Sequence, residues 1–462
     1  MVKMNCIFRR QIVFALLVML CVFSAKADGT ENGLVVVRLD GAGTLPTQID
    51  DSQKYKIDSL KVIGDINGTD LKLIREMAGC DSDGNRTNGD LIFLDLEDAR
   101  IVDGGDSYYD DYTISNDCLG EFAFYKCDML QSVILPSGLK TIDAYAFRSC
   151  VNLTDLQIPS GVTTIGEGSF SECSWLKSLV IPSSVTSLGA SAFYGCVRLE
   201  SVELPDGLTS IEKSTFSTCS QLVNIKLPSS VTSIGMRAFF GCSHMTNLSL
   251  PAGLTSMGSE AFSRCERLES IELPSGLTVL PLEAFYGCKG LKSVVFPSGL
   301  TEIGINAFHN CSSLEELDFP SSLTTIGNNA FYYCSSLSSL VIPSSVTSIE
   351  NNAFFGCTGL TSVYVAWAAP LSVDASSFEN VDREKCTLYV PEGTSGEYTK
   401  ASVWSSFTNI KEYSPTGIAG PVLSADVKEV SRYSLNGQQL SSPAKGVNIV
   451  KYSDGSIRKI AR

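Results

Sequence analysis

Cysteine is the residue type in this chain with the most regular spacing. Sixteen are present, and eleven recur every twenty-three residues: Cys127, Cys150, Cys173, Cys196, Cys219, Cys242, Cys265, Cys288, Cys311, Cys334 and Cys357. Thiols can pair, hold zinc or attack a substrate, and each use needs a partner in a defined place. Side chains at one position of a stacked repeat point the same way, not toward each other, and eleven is odd. No Cys-x-x-Cys is present, the spacing typical of a zinc site. The series reads as a ladder of buried free thiols, each a small apolar residue with a weak S–H donor. Outside it, Cys80 and Cys118 are either a pair or two further free thiols.

Other reactive constellations are sparse. The two histidines, His244 and His309, lie nearly three repeats apart, whereas nucleophilic catalysis needs a base touching its nucleophile. Glu203 and Glu272 hold equivalent positions three repeats apart, too far for paired-carboxylate hydrolysis. The run Asp81 to Asp90 has the look of a calcium loop, but Gly84 falls at position four and Ile92, just before Phe93, at position twelve. Such loops want Gly at six and Glu at twelve, so this is a polar turn. Asp103 to Asp111, DGGDSYYDD, reads as a solvated acidic edge. The chain is read as non-enzymatic, with no cofactor and no metal site.

A repeat positions the cysteines. The stretch Ala284 to Gly304, AFYGCKGLKSVVFPSGLTEIG, returns at steps of twenty-three, with phenylalanine at every step from Phe124 to Phe354. A fixed period in the twenties marks a solenoid. Leu291, Val294 and Phe296 lie on a short strand with outward residues between them, and Pro297 ends it because proline cannot donate to a ladder. Ser298-Gly299 turns the chain, Leu300 to Ile303 returns extended, and Asn306-Ala307-Phe308 opens a tight helical or 3₁₀ turn. One rung cannot bury its own apolar edge, so stacking puts each Leu, Ile and Phe against its copies in one long parallel sheet.

This rung resembles the BspA-like leucine-rich repeat, also found in treponemal surface proteins, over about Cys118 to Pro391. The resemblance implies a bacterial surface protein of the kind implicated in adhesion to host matrix or to other microbes. It also implies that the cysteine sits where many leucine-rich repeats place an asparagine ladder. The fold class expected is a repeat solenoid: a leucine-rich-repeat right-handed superhelix with a long parallel β-sheet, capped at both ends, plus a small C-terminal all-β unit. Its parts are a signal peptide (1–27), a cap with degenerate rungs (28–118), eleven repeats (119–365), a terminal repeat and cap (366–413), and a linker with a sorting tail (414–462).

At the start, Lys3, Arg9 and Arg10 precede the apolar run Gln11 to Phe23, and Ala25-Lys26-Ala27 offers a cleavage point before Asp28. That is the pattern of an export signal; Cys21 leaves a lipoprotein alternative, weakened by Leu20 before it. The net charge is −15, and four of the cations lie in those first residues. Between Asp28 and Cys118 there are twenty acidic against eight basic residues. Such a chain repels nucleic acid and anionic membranes. Within this segment Leu60 to Ile63 and Leu91 to Leu96 read as strands. Thr69 to Met77 reads as a helix capped by Thr69, with Leu73, Ile74 and Met77 on one face.

The far end loses the frame after Val365, and Phe378 arrives one residue late. Cys386 to Pro391 reads as a last strand, with Glu397 to Phe407 lying across the final rung through Tyr398 and Trp404. Past Ser414 to Gly417, Asp454-Gly455 signals a hairpin. The segment Tyr433-Ser-Leu-Asn-Gly-Gln438, followed by Lys445-Gly-Val-Asn-Ile-Val450, resembles C-terminal sorting tails of exported Bacteroidetes proteins. It implies secretion or surface attachment through export machinery; an ordinary terminal hairpin is the alternative.

A ligand has two stripes to use. Outward strand positions line the face expected to be concave, and its central rungs supply Ser201, Glu203, Asn224, Lys226, Asn247, Ser249, Ser270 and Glu272. These suit an extracellular protein or glycan, although serine also simply suits a crowded parallel sheet. The second stripe follows each phenylalanine: Tyr125, Tyr194, Phe240, Tyr286, Tyr332 and Phe355, interrupted by residues that include His309. The function expected is an exported, adhesin-type binding scaffold at the cell surface, the outer membrane or outside the cell. It keeps no transmembrane span after signal cleavage. A ligandless structural spacer and a glycan-capture protein are the alternatives.

Overall fold

The computed structural model describes residues 33–414 and, beyond them, four short strands between 429 and 461. The export signal with its Cys21 alternative, most of the linker and the Asp454-Gly455 turn lie outside the described residues.

Each turn of the solenoid has three sides. The first is a short strand such as Ser293–Val295, whose middle Val294 is buried while Ser293 and Val295 face out. That alternation is the period of two of an extended chain. The second is the two-residue strand Glu302–Ile303, with Ile303 buried. The third is the tight turn that carries Ala307, Phe308 and Cys311, all fully buried.

Like sits on like. Ser270 pairs in parallel with Ser293, and Ile303 with Ile326, a shift of one repeat in each case. The phenylalanines form a column from Phe124 to Phe354 with ring centroids 5.2 to 5.7 Å apart. Burying each ring is worth roughly 1.5–3 kcal/mol. The column does not stop where the sequence frame slips: Phe378 stacks on Phe354 at 5.3 Å. The extra residue is absorbed by the 3₁₀ turn Ala375–Phe378, opened by an Asp374 side chain that accepts from the Ser376 amide.

The turn side differs from the helical or 3₁₀ turn expected. It is a run of tight turns with two left-handed residues in most rungs. One stands two before the phenylalanine (Asn306, Asn329 and Asn352 at φ 53° to 57°), the other just before the cysteine (Gly241, Gly287 and Gly356 at φ 70° or 71°). These conformations turn alternate amides along the stack, where they pair with the next rung. Phe122, Phe124 and Lys126 donate to the carbonyls of Ala144, Ala146 and Arg148 at 3.1, 2.6 and 2.9 Å. Asparagine and glycine carry the smallest penalty there.

On the strand side the hydrogen-bonded ladder is segmented, not one uninterrupted sheet. Regular pairing joins Ser178–Val180 to Ser201–Glu203, and Ser270–Glu272 to Ser293–Val295. Between them Asn247 makes a single bridge to Ser270. Bonds linking these rungs stretch, with Val223 to Glu200 at 3.4 Å and Thr246 to Val223 at 3.3 Å.

Both ends are closed. At the start, Leu34–Arg38 pairs in parallel with Ser59–Ile66, which pairs with Phe93–Asp95 and so with the array at Ser132–Ile134. The helix Gly68–Met77 is capped by Asn67, not Thr69, in a reciprocal box with Asp70. Leu73, Ile74 and Met77 are buried together as expected. At the other end Trp404 and Phe407 cover Phe378 at 5.4 and 5.9 Å. The indole N–H of Trp404 donates to the Leu371 carbonyl at 2.7 Å, and the Tyr398 hydroxyl to that of Trp367 at 2.7 Å. Farther on, the strands Glu429–Ser434, Gln439–Leu440, Val447–Tyr452 and Ile457–Ala461 form a small antiparallel sheet.

Candidate functional site

The cysteines are occupied structurally. All eleven array thiols are free and buried. From Cys150 to Cys357 each Sγ–H donates to the phenylalanine carbonyl of the rung before. Cys150 to Phe124 measures 2.9 Å, Cys242 to Phe216 3.1 Å and Cys357 to Phe331 3.2 Å. The same carbonyl also accepts its own rung's cysteine amide, as Phe124 does from Cys127 at 3.0 Å. Burial pushes the thiols up from their ordinary value near 9, to about 12 at Cys127, Cys196, Cys288 and Cys357. A thiol that holds its proton this firmly is a poor nucleophile. Cys80 and Cys118 are free as well; Cys80 Sγ faces Asp81 and the Arg75 guanidinium.

The start of the amide ladder on the turn side explains a residue the sequence hid. The first rung has carbonyls at Glu121, Ala123 and Tyr125 with no preceding rung to bond them. The Tyr108 hydroxyl donates to Glu121 at 2.6 Å, and Arg75 donates to Ala123 at 2.8 Å and Tyr125 at 3.4 Å. Arg75 is wholly buried, and its guanidinium also lies 4.7 Å from the Tyr109 ring centre. The Asp81 loop closes on itself: one carboxylate oxygen accepts the amides of Asp83 and Asn85 at 3.0 and 2.7 Å.

The outward strand positions share one exposed face. Ser201 and Glu203, Asn224 and Lys226, Asn247 and Ser249, and Ser270 and Glu272 are exposed in successive rungs. They alternate with the buried Val202, Ile225, Leu248 and Ile271. The widest interruption of the ladder also falls here, since neither 224–226 nor 247–249 forms a regular strand; narrower breaks lie just before Ser178–Val180 and just before Glu316–Asp318. Glu203 and Glu272 remain three rungs apart.

The outer stripe of the turn side holds a surprise. His309 was expected to interrupt the aromatic track. It is instead one of its rings, stacked 4.7 Å from Tyr286 and 4.7 Å from Tyr332, which in turn stacks on Phe355 at 4.6 Å. An imidazole is flat and similar in width to a phenol, so it fits the spacing. Burial lowers its pKa, favouring the neutral ring. His244 lies elsewhere, its Nδ1 2.8 Å from the Ser220 carbonyl. Next to this stripe, between Arg237 and His309, opens a cleft of about 450 Å³. At its edge Arg237 pairs with Glu260 at 2.8 Å.

Parallel rungs, an apolar column and a repeated outward face define the class: a leucine-rich-repeat solenoid. The chain belongs to the BspA type leucine rich repeat family, whose model matches it in three stretches spanning residues 111–390. Among solved structures it is similar to a leucine-rich repeat protein from Bacteroides ovatus, at 27% identity over 66% of this chain and 89% of that one, with a TM-score of 0.47. A leucine rich cell surface protein from Faecalibacterium prausnitzii shares 27% identity over 68% of this chain and 86% of that one, at a TM-score of 0.42. The T. pallidum leucine rich repeat protein shares 29% identity over 40% of this chain and 78% of that one, at 0.31. No curated protein matches the chain. Among the described residues no helix is long and apolar enough to cross a membrane.

Proposed function

We propose that this chain is a non-enzymatic, exported binding scaffold of adhesin type, holding an extracellular protein or glycan on its outward faces. The observation that carries the reading is how residues are allotted. The repeated letters of each rung are buried in stacking, while exposed residues on the strand face change from rung to rung: Ser201 and Glu203, then Asn224 and Lys226, then Asn247 and Ser249. A scaffold that spends its repeated positions on the core leaves recognition to the variable ones. Interrupted strand pairing leaves this central segment with fewer backbone constraints, which suits a surface that adapts to a partner. Export rests on the basic and apolar start and on the tail's likeness to sorting segments.

The test is a binding screen of the full-length chain against extracellular-matrix proteins, host-cell surfaces and glycan arrays. Saturable binding that falls about tenfold or more in the pair Asn224→Lys, Lys226→Glu supports the strand face. Binding that is indifferent to the pair removes that face from the account, and an absence of any binding leaves the chain a spacer.

A further inference from the structure

The outer stripe of the turn side has a gap one rung wide. Tyr286 begins the continuous column of rings described above. One rung earlier the same position is Ser263, and one rung before that it is Phe240. Ser263 is almost fully buried, its hydroxyl donating to the Tyr286 carbonyl at 3.3 Å. Phe240 and Tyr286 therefore stand on rungs separated by two spacings, which the inner phenylalanine column sets at 5.4 and 5.5 Å. Stacked rings sit about 4.5–7 Å apart, so the gap has room for one more ring. Both residues line the cleft of about 450 Å³.

We propose that this cleft is a saccharide subsite that takes one neutral pyranose ring, seated over Ser263 between Phe240 and Tyr286. The C–H faces of a pyranose pack against aromatic faces, and its hydroxyls lie around the rim. The rim here offers both donors and acceptors. Asn306 Nδ2 donates to Glu283 at 3.1 Å, placing an amide and a carboxylate side by side. The Arg264 guanidinium lies 5.6 Å from the Phe240 ring centre. A purely apolar side chain in the gap would strip water from these groups and return no hydrogen bonds, which is costly. A polyhydroxylated ring satisfies them. The lining is charge-balanced, Arg237 and Arg264 against Glu260 and Glu283, so it calls for no charged sugar, and the acidic chain as a whole disfavours an acidic one. The site rests on the binding-scaffold reading but uses a different face from the strand positions, so the two can fail separately.

The experiment is a glycan array of hexose, N-acetylhexosamine, deoxyhexose and sialic-acid oligosaccharides probed with the full-length chain. Calorimetry then measures each glycan bound. The expected result is saturable binding of a neutral glycan that weakens about tenfold or more in Ser263→Tyr. The fold already carries tyrosine at the equivalent Tyr194, Tyr286 and Tyr332, so this variant closes the gap with the rung intact, as circular dichroism verifies. Tyr286→Ala, which removes one wall, weakens it as well. Ser217→Tyr makes the same change on the other side of Phe240 and leaves affinity within about twofold, as does the strand-face pair Asn224→Lys, Lys226→Glu. Unchanged affinity in Ser263→Tyr, a preference for sialylated glycans, or no glycan bound at all overturns the proposal.

Discussion

Arg75 does at the first rung what a neighbouring backbone does at every later one. Its guanidinium supplies N–H donors to Ala123 and Tyr125, and the Tyr108 hydroxyl takes Glu121. Unmet, those carbonyls would be buried acceptors, each costing about 1–3 kcal/mol. Arg75→Met is therefore expected to destabilise the N-terminal rungs by about 3 kcal/mol or more, and Tyr108→Phe by about 1–2 kcal/mol. Chemical denaturation followed by the tyrosines near the cap measures both. A change of less than about 0.5 kcal/mol in Arg75→Met contradicts its role. None of this was visible in the sequence, because the partners are forty-eight and fifty residues downstream and a lone arginine in a helix reads as surface. Asn67 was missed for a milder reason: Thr69 is also a good cap, and only geometry chose between them. By residue class His309 reads as an interruption of the aromatic stripe; by shape it is one of its rings.

Within a rung, what was legible and what was not divide along one line. The positions that stack on their own copies, Phe239 or Cys242 or Ile234, announce themselves by repeating. The left-handed positions two before each phenylalanine do not, since they are filled by residues as different as Arg237, Glu260, Glu283 and Asn306. Their backbone is imposed mostly by pairing with the next rung, not by their own preference; only Gly168, Asn306, Asn329 and Asn352 leave a hint. The stretched bonds around Val223 and Thr246 follow from no letter in the sequence. Because each ring touches only the rung above and below, removing one should weaken two interfaces and no others. Phe239→Ala is expected to cost about 3–5 kcal/mol and to split a single denaturation transition into two. One transition with its midpoint unmoved would show that the column is not what couples the rungs.

For the whole molecule, the repeat sets the fold and thereby limits what the fold can do. Two caps, one of arginine and tyrosine and one of Trp404 and Phe407, stop the stack from continuing into another chain through open backbone or bare rings. Recognition is left to surfaces whose letters vary, which is why the solenoid was readable and the ligand was not. The segment 240–286 shows the limit well: its gap is a property of three residues spaced one rung apart, and it means nothing until the rungs are stacked.

The solenoid depends most on its repeated positions being core, and the thiols report that directly. Burial raises the folded pKa of every array thiol, to about 12 at Cys127, Cys196, Cys288 and Cys357, so the stability they confer is complete below about 9 and is lost progressively as pH rises above it. Above pH 9 the unfolded chain releases thiol protons that the folded chain keeps, at about 1.4 kcal/mol per thiol per pH unit. With eleven such thiols, alkaline unfolding should be steep. The measurement is thiol labelling of the full-length, unreduced chain as pH is raised, with circular dichroism read in parallel. The prediction is that array cysteines stay unlabelled at pH 8, then label together with the loss of structure above pH 9, and all are free in denaturant. Rapid labelling of array cysteines at pH 8 in the folded chain, or array thiols that stay unreactive in denaturant because they are paired, would contradict it.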